Sequence, residues 1–309
     1  MHAYLKTTVA LVAVSTLTVA AAPPAYDAVA TEKWRAERET ELRSPTGWLT
    51  VAGLYFLKPG SNTIGSSPSR DVVLPASATA DDVGVIEYAP TGEVTLRLRN
   101  GARATVDQEP ASGSIALSSP DERGRRQAPR VSIGEVSLQV HRSGSRVAIR
   151  LRDPESRLLK EFTGLRWYPV DPAWSVTAQF ISYGKPRTLP TQNILGDNTE
   201  SVSPGEVEFT INGTTTRLVA FGEGKRLSFV FSDATSGRET YRLRFLTADA
   251  PDARGNVTLD FNRAYNPPCA FNPYTTCPIP LPENRLKVAI AAGEKAYHAA
   301  REQTAVRTK

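Results

Sequence analysis

Gly205-Glu-Val-Glu-Phe-Thr-Ile-Asn-Gly-Thr-Thr-Thr-Arg-Leu-Val-Ala-Phe221 decides the fold class of this chain. Val207, Phe209 and Ile211 alternate with Glu206, Glu208 and Thr210, a period of two that suits one buried and one wet face of a strand. Asn212-Gly213 then supplies two residues that tolerate positive φ, the strongest short signal for a hairpin turn. The return strand runs to Phe221, and Gly222-Glu-Gly224 turns the chain again into Leu227, Phe229 and Phe231. Tyr241, Leu243 and Phe245 mark a further strand, and residues 257–261 a last one, so a meander of about five strands is expected.

Upstream the same texture holds. Val94, Leu96 and Leu98 alternate with Thr95 and Arg97; Val136, Leu138 and Val140 lead through Arg142-Ser-Gly-Ser145 into Val147, Ile149 and Leu151. Trp174, Val176, Ala178 and Phe180 mark one more strand. Helical texture is confined to the ends, at residues 28–43, where Trp34 and Leu42 could dock, and at residues 283–303. The expected class is mainly β, with two antiparallel sandwich- or barrel-like parts at residues 46–160 and 161–305 and a helix at each end.

Residues 1–22 have the pattern of an export leader: Lys6, an apolar run from Thr7 to Ala20, then the small residues Ala20, Ala21 and Ala22. The run is about 14 residues, short of the ~20 needed to span a bilayer. A periplasmic or secreted protein is expected, with no stable membrane span. The +5 net charge comes from 37 basic and 32 acidic residues mixed along the chain. That mixing gives no basic stripe on a nucleic-acid-binding module, so no nucleic-acid partner is expected. No cofactor is expected either, because no phosphate-cradling glycine loop appears.

Residues 260–280 hold both cysteines and five prolines. Proline lacks an N–H and fixes φ, so this density excludes a helix or a central strand and predicts a stiff loop. Such loops hold side chains with little entropy left to lose. Asp260 and Asn262 fall on one face at strand spacing, and Tyr265 and Asn266 follow. With Arg166 and Trp167 they make a candidate polar-aromatic pocket. Glu294, after Gly293, could reach the loop as an acid or base; a solvated helix face is the plain alternative. Turn capping by Asp260 and Asn262 is the plain alternative for that pair. Cys269 and Cys277 read first as a disulfide in an exported protein, with a metal or redox pair as the alternative. Asp233, Thr235, Thr240 and Tyr241 bracket a turn at Gly237, and Asx and hydroxyl turns explain the first two.

Two resemblances follow from motifs. Phe56-Leu-Lys-Pro-Gly60-Ser-Asn-Thr-Ile-Gly65 with Asp71-Val-Val-Leu-Pro75 resembles the opening strands of a forkhead-associated domain. That family's β-sandwich binds phosphothreonine through an arginine after the glycine, where this chain has Ser66; the resemblance implies the sandwich without the activity. Trp34-x3-Arg38-x3-Leu42, Gly47-Trp-Leu49, Gly53-Leu54, Phe231-x-Asp233-x-Thr235-x-Gly237-x2-Thr240-Tyr241, Asp260-Phe-Asn-Arg-Ala-Tyr-Asn-Pro-Pro-Cys-Ala-Phe271, Cys277-Pro278 and Ala292-Gly-Glu-Lys295 resemble the bacterial domain-of-unknown-function family 1684 across the mature chain. That resemblance implies membership and no activity. The expected function is an envelope binding or accessory protein for a small polar ligand or envelope component. A hydrolase using Asp260 or Glu294 is the alternative.

Overall fold

The computed structural model describes residues 25–78, 81–118, 129–222 and 224–297. The expected leader and the arginine-rich residues 123–128 lie outside them. In the first part the alternating segments become β1 (Val51–Phe56), β2 (Gly60–Gly65), β3 (Val72–Val73), β4 (Gly84–Tyr88), β5 (Val94–Leu98), β6 (Ala104–Val106), β7 (Glu109–Ala111), β8 (Ser114–Ser118), β9 (Val131–Ile133), β10 (Val136–Ser143) and β11 (Arg146–Arg152). They form a sheet of order β1-β11-β10-β9-β6-β7 and another of order β3-β2-β4-β5-β8. All pairings are antiparallel except the short parallel pair of β2 and β3. Ile64, Ile86 and Leu96 from one sheet share a core with Leu138, Ile149 and Leu151 from the other. Period two therefore turns Gln139, His141, Arg150 and Arg152 to the opposite face of the first sheet.

A four-residue helix, α2 (Arg157–Lys160), leads towards the second part. There the strands are β12 (Ser175–Gln192), β13 (Asn198–Ile211), β14 (Thr214–Ala220), β15 (Arg226–Phe231), β16 (Arg244–Asp249) and β17 (Asn256–Asp260). Asn212 and Gly213 take positive φ, 49° and 74°, and Ile211 faces Thr214 across the turn. The expected simple meander does not form. β12 pairs through its later residues with β13, and its first residues, Ser175 to Gln179, are left with a free edge that β17 fills. The sheet order is β14-β13-β12-β17, and β15 with β16 makes a separate ribbon. Phe209, Phe229, Phe231 and Phe261 pack between them. Asn284 bridges ribbon and sheet: its Oδ1 accepts from Val219 N–H, and its Nδ2 donates to the carbonyls of Val219 and Val230.

The N-terminal helix is α1 (Ala28–Arg43), capped by Asp27, whose carboxylate accepts from Ala30 N–H. The expected C-terminal helix is absent from the described residues. Pro282–Asn284 is one 3-10 turn, and residues 285–297 run as irregular chain. The cause is a choice of partners: Leu286 N–H donates to Ser232 and Glu294 N–H to Ala264, rather than to carbonyls four residues back. Gly293, at φ 79°, breaks helical geometry outright. Residues 298–303 of that expectation lie outside the described residues. The fold is mainly β with one long helix near the N-terminus and no closed barrel. Among the described residues, no helix is long and apolar enough to cross a membrane.

Candidate functional site

The proline-rich loop is packed, and its polar side chains turn inward. Asn262, Asn266 and Asn272 are each fully buried, and each bonds the backbone of a distant segment. Asn262 exchanges bonds with both backbone groups of Asp171. Asn266 Nδ2 donates to the carbonyl of Lys295. Asn272 Nδ2 donates to the carbonyls of Trp48 and Val51, tying the loop to the start of β1. Pairing a buried amide offsets its desolvation cost; here the pairing joins three stretches of chain, although Asn266 Oδ1 is buried without a partner.

The expected disulfide is not formed. Cys269 and Cys277 are free, buried thiols. Cys277 Sγ accepts a 3.3 Å bond from Cys269 N–H, and its own S–H points to Thr275 Oγ1. The sulfur thus serves the turn as a hydrogen-bonding group. The thiol of Cys277 is pushed far up by its side-chain interaction with the Cys269 thiol and by burial, against the pull of the Cys269 N–H, whereas the Cys269 thiol is drawn down by that side-chain interaction. No group of three His, Cys, Asp or Glu stands together among the described residues to hold a metal ion.

Most of the remaining candidate residues meet beneath α1. Glu294 is 1% exposed, and its two oxygens take three bonds. Oε2 accepts from Arg38 Nε at 2.9 Å and from Asn266 N–H at 3.1 Å; Oε1 accepts from Asn266 Nδ2 at 2.8 Å. Burial raises its pKa, and Arg38 and Asn266 oppose that shift. Asp260 caps the turn after β17 and receives Tyr26 Oη, Asn262 N–H and Nδ2, and Arg263 Nε. Arg166 donates to the carbonyl of Ala296. The Trp167 ring meets Trp34 edge-on at 5.8 Å and carries Arg35 over its face. Tyr265 meets Trp34 at 6.0 Å and lies under Arg38 at 4.3 Å.

α1 is therefore docked by charge. Arg35 Nη2 donates to Asn262 O, and Arg38 Nη2 donates to Asn266 O at 2.7 Å. Trp34, Arg38 and Leu42 recur at four-residue spacing, which places them on one helix face. Between that face and the β15–β16 ribbon lies a cleft of about 530 Å³. Its aromatic lining is Trp34, Trp48, Phe245 and Tyr265; Glu37, Arg38, Glu41, Arg226 and Thr247 supply polar groups. Of the candidate site residues only Tyr265 reaches the cleft wall. Glu294 sits behind Arg38, and the others support the floor or lie away from it. Of the cleft residues from β15 and β16, Phe245 was legible only as part of a strand and Arg226 and Thr247 not at all, because only the packing of the ribbon against α1 brings them there. The signal available for α1 was the Trp34–Arg38–Leu42 spacing. A shallow groove of about 550 Å³ along β12 and β13 has no comparable set of aromatic rings.

Residues 160–295 match the model of a family described as "Protein of unknown function (DUF1684)". The motifs around Trp34, Gly47 and Gly53 fall outside the matched residues. A solution NMR structure of an uncharacterized protein from Haloarcula marismortui is similar at 30% identity, over 46% of this chain and 80% of that one, with a TM-score of 0.37. No curated protein matches the chain.

Proposed function

We infer, for a chain that belongs to this family through residues 160–295, that it is an exported binding protein whose ligand occupies the cleft under α1. The observation that carries the reading is the lining. Four aromatic rings and charges of both signs converge on about 530 Å³, a volume suited to a small ligand. Flat rings offer apolar contact to the face of a sugar, and Glu37, Glu41 and Arg226 offer partners for its hydroxyl groups. The ligand class proposed is therefore an envelope saccharide. Export is proposed from the leader-like pattern of residues 1–22. The forkhead-associated likeness is retained only as a proposal for the sandwich scaffold.

Binding is preferred to hydrolysis because both carboxylates considered for acid–base work are already engaged. Glu294 has a raised pKa, as a general acid needs, yet it is sealed behind Arg38. Asp260 is occupied by Tyr26 and Asn262.

The test is a tryptophan-fluorescence titration with a panel of envelope mono- and oligosaccharides. A saturable change is expected for at least one, weakened about tenfold in E41Q and R226A, as loss of one good polar contact implies. Both side chains are exposed, so these variants should fold normally. A panel without any saturable response, or variants that bind as the parent does, would reject the reading.

A further inference from the structure

Three arginines are buried among the described residues: Arg35, Arg150 and Arg244. Two have a carboxylate partner, although the Nε of each is buried without a hydrogen bond. Arg35 donates to the carbonyls of Tyr168 and Asn262 and pairs with Glu32. Arg244 pairs with Asp233 and donates to the carbonyls of Ile290 and Ala292. Arg150 is 7% exposed and differs from both in its charge: no described carboxylate lies within ion-pair distance, and its Nε, like theirs, is sealed without a partner. Its guanidinium carbon lies 5.1 Å from the centre of the Trp48 ring. A cation–π contact offsets only part of the cost of burying a charge.

The surroundings add positive charge instead of cancelling it. Arg152, two residues along β11 on the same face, also lies over Trp48, at 5.6 Å. Burial and the charge of Arg152 pull the Arg150 pKa down to about 10. His141 is on the same face of β10, and the acidic group acting on Arg150 is the thiol of Cys277. Directly across the ladder Arg150 faces Gln139 and Arg152 faces Ser137. Gln139, opposite Arg150, is exposed, whereas Ser137, opposite Arg152, is buried.

We propose that Arg150 and Arg152, flanked by Gln139 and Ser137, form an oxyanion site on the outer face of the first sheet, taking a phosphate ion or a phosphate monoester. A guanidinium offers five N–H donors in a fork that matches an oxyanion. A bound dianion supplies the missing counter-charge for Arg150. The site is separate from the cleft under α1 and adjoins it at Trp48 and at Gly47, whose carbonyl accepts from Arg152 Nη1.

Inorganic phosphate, titrated at constant ionic strength, should give saturable binding in calorimetry, with amide shifts at residues 137–139 and 150–152. R150M should weaken it at least about tenfold, while melting at a higher temperature than the parent in phosphate-free buffer, because an uncompensated buried cation is gone. If R150M fails to fold, R152M serves as the second variant with the same expected loss. Glycerol 3-phosphate in a parallel arm distinguishes an ester from the free ion by which binds more tightly. The cleft variants E41Q and R226A should leave phosphate binding unchanged. No saturation in the parent, or equal affinity in R150M, overturns the site. So does thiolate absorbance in the parent that vanishes in R150M, since Cys277 would then be the counter-charge.

Discussion

Arg38 joins α1 to the proline-rich loop through one guanidinium, donating to Glu294 and to the carbonyl of Asn266 while lying over Tyr265. Removing one member of a buried ion pair strands the other, at a cost of about 3–5 kcal/mol. E294Q should therefore lose stability in that range in urea unfolding; a change near zero would show that the pair contributes little. The two thiols give a second check at this scale. Unreduced protein should take alkylating reagent at both Cys269 and Cys277 once unfolded, and slowly when native, since both are buried. Alkylation blocked until a reductant is added would contradict free thiols.

Gly293 shows how one backbone angle decides an element. A Cβ there would meet the carbonyl oxygens of Ala264 at 2.4 Å and Phe261 at 2.8 Å, and φ is already 79°. G293A should cost more than about 1 kcal/mol, because both the angle and the contact oppose it. Its effect should reach Glu294 and hence α1, measurable as increased amide exchange in the helix. At the other end of α1, D27A removes the cap and should cost about 1 kcal/mol in thermal or urea unfolding. The backbone at Gly293 lies close against residues 261 and 264, although the helix expected around it is absent. Its neighbours bond across to residues 232, 264 and 166 instead.

The two β parts meet where the proline-rich loop lies against the outer face of the first sheet, and that seam titrates. His141 bonds Thr276 Oγ1 across it, and burial, reinforced by Arg150, lowers its pKa from 6.5 to about 4. Its folded pKa is below the unfolded one, so its contribution is complete above pH 6.5 and is lost as pH falls through about 4. H141Q should flatten the stability profile in that window. Asp197, held by Arg146, Ser143 and Asn193, is lowered from 3.8 to about 2 and weakens the fold only further down, between those values. An unchanged profile in H141Q would place the mid-range pH sensitivity elsewhere.

Residues such as Val207, Phe209, Ile211, Asn212 and Gly213 carry their structure locally: alternation sets the faces and two positive φ values set the turn. Fold class, the irregular proline loop and most strand positions were therefore legible from side-chain chemistry along the chain. Partners were not. Whether Leu286 bonds within a helix or to Ser232, whether β17 pairs with β16 or with β12, and whether Glu294 faces solvent or Arg38 depend on segments more than a hundred residues apart in some cases. The same holds for the cleft, whose walls belong to α1, the turn at Trp48 and the β15–β16 ribbon. Burial and long-range pairing are properties of the assembled molecule, and they turned the asparagines of the loop from expected ligand contacts into the ties that hold it shut.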